Sequence, residues 1–295
     1  MINKMKFNFV KYFKQMFVIS VSIFTISILS LLFIGIPSSI DFTGGTIINI
    51  KVDTDINLSN LRQALEENLN QSVSVVEVKS NNESYILLKM SYLSDEQVIN
   101  DLLKKVYGNS FTINQIESIG PKIGDELRVN ARNAIIASLL LIGLYISIRF
   151  DGYYAIGSLF ALLHDVFITL GIFVFMNVEI SISIIAALLT IVGYSLNDTI
   201  VIYDRIRENM SLNPYRDKKK IFNTSLNQTL NRTLVTSLTT LIVVLVLYFY
   251  GGDVLQPFSI ALIIGIILGT YSSIFIASPV TLFLEEKYNI EEEED

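Results

Sequence analysis

The sequence predicts an α-helical membrane protein with six transmembrane helices and a small α+β extracytoplasmic domain between the first and the second helix. Of the 295 residues, 51% are hydrophobic and only 17% are charged, a balance too apolar for a soluble domain of this size. The apolar residues are gathered into six long segments, and a long polar stretch separates the first two. The chain has no cysteine and one histidine, which excludes a disulfide framework and a multi-histidine metal site.

Each apolar segment is long enough to cross a hydrocarbon layer about 30 Å thick at about 1.5 Å per helical residue. The segments must be helices, because lipid offers no partner for unpaired backbone groups. The first could also be a cleavable signal peptide, but its apolar run is longer than a signal core and no A-x-A site follows, which favours a retained helix. The segments are residues 16–36, 131–148, 153–175, 180–203, 233–250 and 258–284.

The distribution of lysine and arginine predicts the orientation. These residues are concentrated before the first segment and after the fourth, whereas the short loops 177–179 and 251–257 have none. The positive-inside rule therefore places both termini in the cytoplasm. The predicted layout is a tail and first helix at 1–37, an outer domain at 38–128, a five-helix bundle at 129–284 with a cytoplasmic loop at about 204–231, and an acidic cytoplasmic tail at 285–295.

The outer region combines strand and helix patterns. Its strand segments alternate between apolar and polar residues, and its second helix begins with S-D-E-Q, a capping-box pattern. Strands are predicted at 46–52, 73–79, 85–90 and 111–117, and helices at 58–69 and 94–107. The order βαββαβ predicts a ferredoxin-like sandwich. Because the region holds no pair of residues at catalytic spacing, we expect no enzyme chemistry there.

Ionisable residues interrupt two of the apolar segments, where a buried charge costs between about 2.5 and 17 kcal/mol. Asp198 lies in the stretch GYSLNDTIVIYDRIREN (193–209) between Asn197 and Thr199, so we predict a polar site that can hold water. His164 and Asp165 lie deep in the third segment and point about 100° apart, so they cannot both face one partner. Asp165 is equally well explained as a structural hydrogen-bond acceptor.

The fifth segment opens with NRTLVTSLTT (231–240), which gives one end of this helix a polar face. Arg232 lies at the cytoplasmic mouth, and its long side chain can span the offset to Asp198. The alternative is that Arg232 anchors to lipid headgroups and that hydroxyls such as Thr236 and Thr240 only bond neighbouring helices. An arginine that moves toward and away from a carboxylate would make it release and bind a proton, and carboxylate relays are typical of proton-driven transporters.

The sixth segment carries a stripe of small residues. Gly265 and Gly269 form a G-x-x-x-G, and Ser273 continues the spacing. Such stripes allow close helix approach, and we interpret this one as a face that binds a partner protein, with packing inside the same chain as the alternative. The sequence has no G-x-x-x-x-G-K-[ST], so we predict no nucleotide-hydrolysing motor.

A series of motifs resembles the SecD/SecF family of bacterial protein-export membrane subunits, a branch of the RND superfamily. The motif of the fourth segment is highly specific, and the small outer region is similar to that of SecF rather than the much larger one of SecD. The motifs are DFTGGT (41–46) with Asp41, Gly44 and Gly45, GPKIGDEL (120–127), RF (149–150), HDV (164–166), GYSLNDTIVIYDRIREN (193–209), RTLVTSLTT (232–240) and GTYSSIFIASP (269–279).

The resemblance implies an accessory subunit that pairs with SecD, associates with the SecYEG channel and uses the proton-motive force to drive late-stage preprotein export across the bacterial inner membrane. It implies that Asp198 and Arg232 take part in proton passage. Asn197 and Thr199 flank this site, and His164, Asp165, Thr236 and Thr240 are weaker candidates. YajC and YidC are further candidate partners, and no nucleic acid is expected.

The resemblance also implies a transport protein without enzymatic activity or a cofactor, in which the coupling ion is H⁺. Sodium stays open, because a carboxylate with flanking Asn and Thr oxygens can coordinate Na⁺. The alternative function is an RND-like proton-coupled exporter of small molecules or lipids, which would use the same site. A scaffold that only stabilises the channel would need no Asp198.

Overall fold

A computed structural model of the chain describes residues 7–52, 58–80, 83–93, 98, 100, 101, 103, 104 and 111–294. The chain divides into two compact units. One consists of Met1–Pro37 with Asn133–Asp295, and the other of Ser38–Arg132. The helices are α1 (Phe9–Phe33), α2 (Ile40–Thr43), α3 (Leu58–Leu69), α4 (Pro121–Arg149), α5 (Gly152–Phe175), α6 (Ile182–Leu212), α7 (Lys218–Tyr250), α8 (Gly252–Ser272) and α9 (Ser278–Glu294), with a π-helical segment at Ser273–Ala277 between the last two.

Six candidate membrane spans among the described residues confirm the number predicted from hydropathy. They are formed by α1, α4, α5, α6, α7 and the continuous stretch of α8, the π-helical segment and α9. Three spans bury the largest share of their residues: α5, α6 and the last one. The span formed by α4 buries very few of its residues. The bundle core therefore lies between α5, α6 and α8.

The helices are longer than the apolar segments that predicted them. Residues 204–231, predicted as a cytoplasmic loop, are helical except for residues 213–217, and the predicted tail at 285–295 continues α9 as far as Glu294. Hydropathy detects only the part of a helix inside the lipid. The polar extensions of α6 and α7 are stabilised by side-chain hydrogen bonds between them, such as Asn209 Nδ2 to Ser225 Oγ at 2.8 Å.

Glycines allow the central helices to approach closely. Gly265 of α8 lies directly against the side chain of Ile191 in α6, and a Cβ on Gly269 would come within 2.9 Å of the Ser195 Cβ. Gly171 of α5 lies in the same way against Ser27 of α1. The G-x-x-x-G stripe therefore packs within the chain, which is the second of the two roles that the sequence left open.

An aromatic cluster joins the ends of α5 and α6. Phe150 is buried, with its ring 5.9 Å from that of Tyr203 and 5.7 Å from that of Tyr154. The guanidinium groups of Arg149 and Arg207 lie 4.8 and 5.6 Å from the centre of the same ring. The RF motif thus has a structural explanation, because Phe150 fills the core and Arg149 covers it by a cation–π contact.

The second unit contains a four-stranded antiparallel sheet in the order β2-β3-β1-β4. The strands β1 (Gly45–Val52), β2 (Ser74–Ser80), β3 (Glu83–Met90) and β4 (Phe111–Ile119) agree with the prediction to within two residues, and α3 agrees at both ends. Alternate residues of β1, including Ile48 and Ile50, pack against Leu61 and Leu65 of α3. The predicted second helix at 94–107 lies largely outside the described residues. Within this range the structure describes residues 98, 100, 101, 103 and 104, and these are helical.

Two of the motifs meet in this unit. Gly44 and Gly45 have positive φ angles of 69° and 147°, and a Cβ on Gly44 would lie 2.9 Å from the Pro121 Cα at the start of α4. A Cβ on Gly124 would lie 3.0 Å from the Gly44 nitrogen. The glycines of DFTGGT and GPKIGDEL are therefore explained by a backbone-to-backbone contact that side chains would prevent.

Candidate ion-binding site

Asp198 lies where three helices of the bundle meet. The side chain is carried by α6 and is only 2% exposed. Ser237 Oγ of α7 and Thr270 Oγ1 of α8 each lie 3.4 Å from Asp198 Oδ2, and the two hydroxyl oxygens lie 2.6 Å from each other. Because 3.4 Å is long for a hydroxyl-to-carboxylate hydrogen bond, the carboxylate is held only loosely.

The residues that flank Asp198 in sequence do not contact its carboxylate. Asn197 is exposed, and Thr199 is buried with its Oγ1 donating to the backbone oxygen of Ser195 at 3.2 Å. Consecutive helical residues point about 100° apart, so the neighbours of Asp198 on α6 face away from it. The polar surroundings of the carboxylate come instead from α7 and α8.

Arg232 is exposed and precedes Ser237 by five residues on α7, which is about 7.5 Å along the helix axis. Among the described residues, the ion pairs within 4 Å do not include one between Arg232 and Asp198. Thr236 and Thr240 donate to backbone oxygens of their own helix, at 2.9 and 3.0 Å.

His164 and Asp165 form a second buried polar cluster, centred on α5. Asp165 is 1% exposed and accepts hydrogen bonds from Ser195 Oγ of α6 and Ser272 Oγ of α8, both 2.7 Å from Oδ2. His164 lies between the rings of Phe24 and Tyr271. The two residues differ in their contacts with α1 and α6, but both also contact α8, through Tyr271 and Ser272, so their spacing does not keep them from sharing a partner helix. Their side chains also contact each other, with 2.9 Å between His164 Nδ1 and Asp165 Oδ1, which the sequence argument did not anticipate.

Four hydroxyl residues of these clusters were not named from the sequence as site residues. Ser195, Ser237, Thr270 and Ser272 all lie within the motif stretches, and Ser237 belongs to the polar face predicted for the fifth segment. The available signal in the sequence was the position of Ser195, three residues before Asp198 on the same predicted helix. Hydroxyls are common in membrane helices, however, and most of them bond only their own backbone.

A π-helical segment begins directly after the hydroxyls that α8 supplies. It covers Ser273–Ala277, and Ser278 Oγ donates to the Ser273 backbone oxygen at 2.8 Å. Ser273 itself is fully buried and donates to the Thr270 backbone oxygen at 3.0 Å. Wide helical turns of this kind are rare and occur frequently next to functional residues.

The fold and these clusters define a multi-pass membrane protein in which two carboxylates are buried inside the helical bundle and are hydrogen-bonded by hydroxyls of neighbouring helices. Such intramembrane carboxylates mark ion pathways in membrane proteins. Among the described residues, there is no group of three or more His, Cys, Asp or Glu side chains that could hold a metal ion.

Comparison with known proteins identifies the family. A sequence profile described as "Protein export membrane protein SecD/SecF, C-terminal" matches residues 98–287. The chain is 42% identical over 280 residues to the protein translocase subunit SecF of Vibrio alginolyticus, covering 94% of this chain and 89% of the relative. It is 37% identical over 293 residues to the SecF subunit of Calditerrivibrio nitroreducens, covering 96% and 95% of the two chains. The chain belongs to the SecD/SecF family, and its similarity to these relatives places it with SecF.

A solved structure has the same fold. The chain is similar to the crystal structure of SecDF from Thermus thermophilus, described as a translocon-associated membrane protein, with a TM-score of 0.86 and 38% identity. The match covers 96% of this chain and 39% of the SecDF chain. This chain therefore corresponds to the SecF part of a protein in which SecD and SecF are joined.

Proposed function

We propose that this protein is the SecF subunit of a Sec preprotein translocase and that, together with SecD, it uses the proton-motive force to drive late-stage export. Its accessory role in the translocase rests on the SecF relatives, which match over nearly their whole length. The pairing with SecD is supported by the SecDF protein of Thermus thermophilus, in which the two parts form one chain.

The observation that carries the proton-coupling proposal is the position of Asp198. Its carboxylate is buried at the junction of α6, α7 and α8, and the hydrogen bonds it accepts from described residues come from two hydroxyls, each at 3.4 Å. A proton on the carboxylate would remove a charge from the bundle interior and change its contacts with all three helices. Binding and release of the ion would thereby shift the balance between two helix arrangements, which is what coupling to movement requires.

Arg232 supplies the second part of this mechanism. In the present arrangement it is exposed and is not paired with Asp198. In a second arrangement its guanidinium approaches the carboxylate and favours the charged form, so the proton leaves. Alternation between the two arrangements takes up a proton on one side of the membrane and releases it on the other.

H⁺ is the proposed coupling ion, and Na⁺ is a second candidate for a structural reason. Asp198 Oδ2, Ser237 Oγ and Thr270 Oγ1 converge on one point, and hard cations prefer oxygen ligands of this kind. Neither ion requires a further cofactor. The buried groups described above suit ion binding rather than enzymatic catalysis, in keeping with relatives that are named as translocase subunits.

We place the protein in the bacterial inner membrane with both termini in the cytoplasm, following the distribution of lysine and arginine. The unit Ser38–Arg132 is then extracytoplasmic, and its strand order supports a ferredoxin-like sandwich. The SecYEG channel and the translocating preprotein are proposed partners, with YajC and YidC as further ones. Nucleic acid is not among the proposed partners.

An Asp198→Asn variant tests the proposal, with Asp204→Asn as the matched control on the same helix. Asp204 is exposed and paired with Arg149 at 2.8 Å, a contact worth at most about 1 kcal/mol. We expect D198N to lose the gradient-dependent part of preprotein export while the complex with SecD still assembles, because the amide cannot exchange a proton. Export by D204N should be close to normal.

Two outcomes would contradict the proposal. Normal gradient-dependent export by D198N would leave only a scaffold that stabilises the channel. Normal export together with loss of resistance to small toxic molecules would favour the RND-like exporter. Pulse-labelling of a secreted preprotein and a growth assay on such molecules measure both properties in the same cells.

A further inference from the structure

His164 and Asp165 are buried ionisable groups, and the role proposed for Asp198 does not involve them. Both side chains are more than nine-tenths buried, at 5% and 1% exposure. They lie on α5, and their partners come from α1, α6 and α8. A charge in such a place is expensive and is seldom kept in a membrane protein without a function.

Asp165 is well supplied with hydrogen bonds but has no positive side chain opposite it. Ser195 and Ser272 donate to Oδ2 at 2.7 Å, and His164 Nδ1 lies 2.9 Å from Oδ1. Among the described residues, neither lysine nor arginine lies within 4 Å of this carboxylate. With a neutral imidazole the cluster therefore carries one uncompensated negative charge, which the low dielectric of the bundle disfavours.

His164 offers the atom at which that charge can be compensated. Because Nδ1 faces an ionised carboxylate, Nδ1 carries the hydrogen and Nε2 keeps its lone pair. Nε2 is buried and has no hydrogen-bond partner among the described residues. The ring lies between Phe24, at 6.5 Å and 9° between planes, and Tyr271, at 6.2 Å and 27°. Both rings lie nearly parallel to the imidazole but just beyond the about 6 Å of a cation–π contact, so they pack around the ring.

We propose that His164 and Asp165 form a second proton-binding station, in which His164 Nε2 takes up one proton and Asp165 stabilises the resulting imidazolium. A proton from water forms a bond with the Nε2 lone pair, and the net charge of the pair changes from −1 to 0. The same bond breaks when the proton returns to water. The inference rests on the proposed function, because it extends the proton path from Asp198 to a second group.

Shared helices connect the two stations. Ser195, which donates to Asp165, precedes Asp198 by three residues on α6. Ser272, the other donor, follows Thr270 by two residues on α8, and Thr270 donates to Asp198. A movement of α6 or α8 that changes the contacts of one carboxylate therefore changes those of the other.

Among the described residues, few titratable groups lie near the histidine. From α8 it is Tyr271, whose hydroxyl lies 2.7 Å from Ser20 Oγ of α1, and from α1 the facing side chain is Phe24. From α6 the nearest carboxylate along the sequence is Asp198, which bonds Ser237 and Thr270, and on α5 itself it is Asp165. Asp165 is thus the carboxylate in contact with the imidazole.

The chain offers a direct test, since His164 is its only histidine. The full chain, labelled with ¹⁵N-histidine and assembled with unlabelled SecD in lipid vesicles, gives one pair of ring nitrogen signals. Spectra are recorded from about pH 5 to pH 9. We expect them to show two forms of the ring, one with hydrogen on Nδ1 alone and one with hydrogen on both nitrogens. In Asp165→Asn, the ratio of protonated to neutral ring at a given pH should fall about tenfold or more.

The controls separate this inference from the proposed function. Asp204→Asn removes an exposed carboxylate of α6 that is paired with Arg149, and it should leave the protonation unchanged. A ring that stays neutral across this range, that carries its hydrogen on Nε2, or that titrates identically in D165N would overturn the second station, whatever D198N does to export. Normal gradient-dependent export by D198N would refute the proposed function even if His164 titrates as expected.

Discussion

At the scale of single residues, the two carboxylates that hydroxyls of neighbouring helices bind, Asp165 and Asp198, differ in how tightly they are held. Asp165 has two serine donors at 2.7 Å and a histidine at 2.9 Å, whereas Asp198 has two hydroxyls at 3.4 Å. Short hydrogen bonds to a charged oxygen compensate much of the cost of burying it. Asp198 lacks this compensation, so it is the carboxylate whose charge is more easily removed by an incoming ion.

The proposed movement of Arg232 leads to a prediction about its charge. Arg232→Gln should lower gradient-dependent export about tenfold or more, equivalent to about 1.4 kcal/mol, because the proton on Asp198 is no longer expelled. Arg216→Gln is the matched control, since Arg216 is also exposed but lies in the loop between α6 and α7. Export rates in membrane vesicles under an imposed proton gradient provide the measurement. Equal rates for both variants would identify Arg232 as an interfacial anchor.

At the scale of helices, close packing between α6 and α8 brings Thr270 and Ser272 to the two carboxylates. Gly265 and Gly269 provide the contact, on the Ile191 side chain and on Ser195. Ser195 takes part twice, because it packs against Gly269 and donates to Asp165. Helix packing and the ionisable clusters therefore depend on the same face of α6.

Gly265→Ala should destabilise the bundle, because the added Cβ overlaps the Ile191 side chain. Overpacking of this kind costs about 1–3 kcal/mol. Gly193→Ala on α6 is the matched control, since a Cβ there meets nothing within 4 Å and alanine favours the helix. Thermal unfolding of the purified full chain in lipid measures both. Equal melting temperatures for G265A and G193A would contradict this prediction. They would show that α6 and α8 can move apart to make room for the added Cβ without loss of stability.

The elements themselves could largely be predicted from the sequence, but their ends and contacts could not. Long apolar runs require membrane helices, and alternation in the outer region fixed the strands to within two residues. The extensions of α6 and α7 depend on hydrogen bonds such as Asn209 to Ser225, which hydropathy does not detect. Asp198 stands out in an apolar run because of its charge. Ser237 and Thr270 do not, since only the rotation of each helix decides which hydroxyl faces the carboxylate.

At the scale of the whole molecule, the bundle presents broad apolar faces. The faces of α4 and α7 expose large side chains such as Leu140, Ile148, Val243 and Phe249. Under the proposed function, these faces would contact lipid or the paired SecD subunit. The buried polar groups lie on other helix faces, between α5, α6, α7 and α8. The proposed ion site is therefore built from residues of this chain, and the proposed coupling to a preprotein would depend on the larger assembly.

The most direct test of the account records ion entry and preprotein movement together. Vesicles that contain this chain, SecD and the SecYEG channel are given a proton gradient or a sodium gradient separately, after the ATP-driven stage has ended. We expect a proton flux that accompanies export and speeds it, and that disappears in D198N without loss of the complex. Export that is equally fast with and without either gradient, or an undiminished proton flux through D198N, would contradict the claim that Asp198 couples ion movement to protein export.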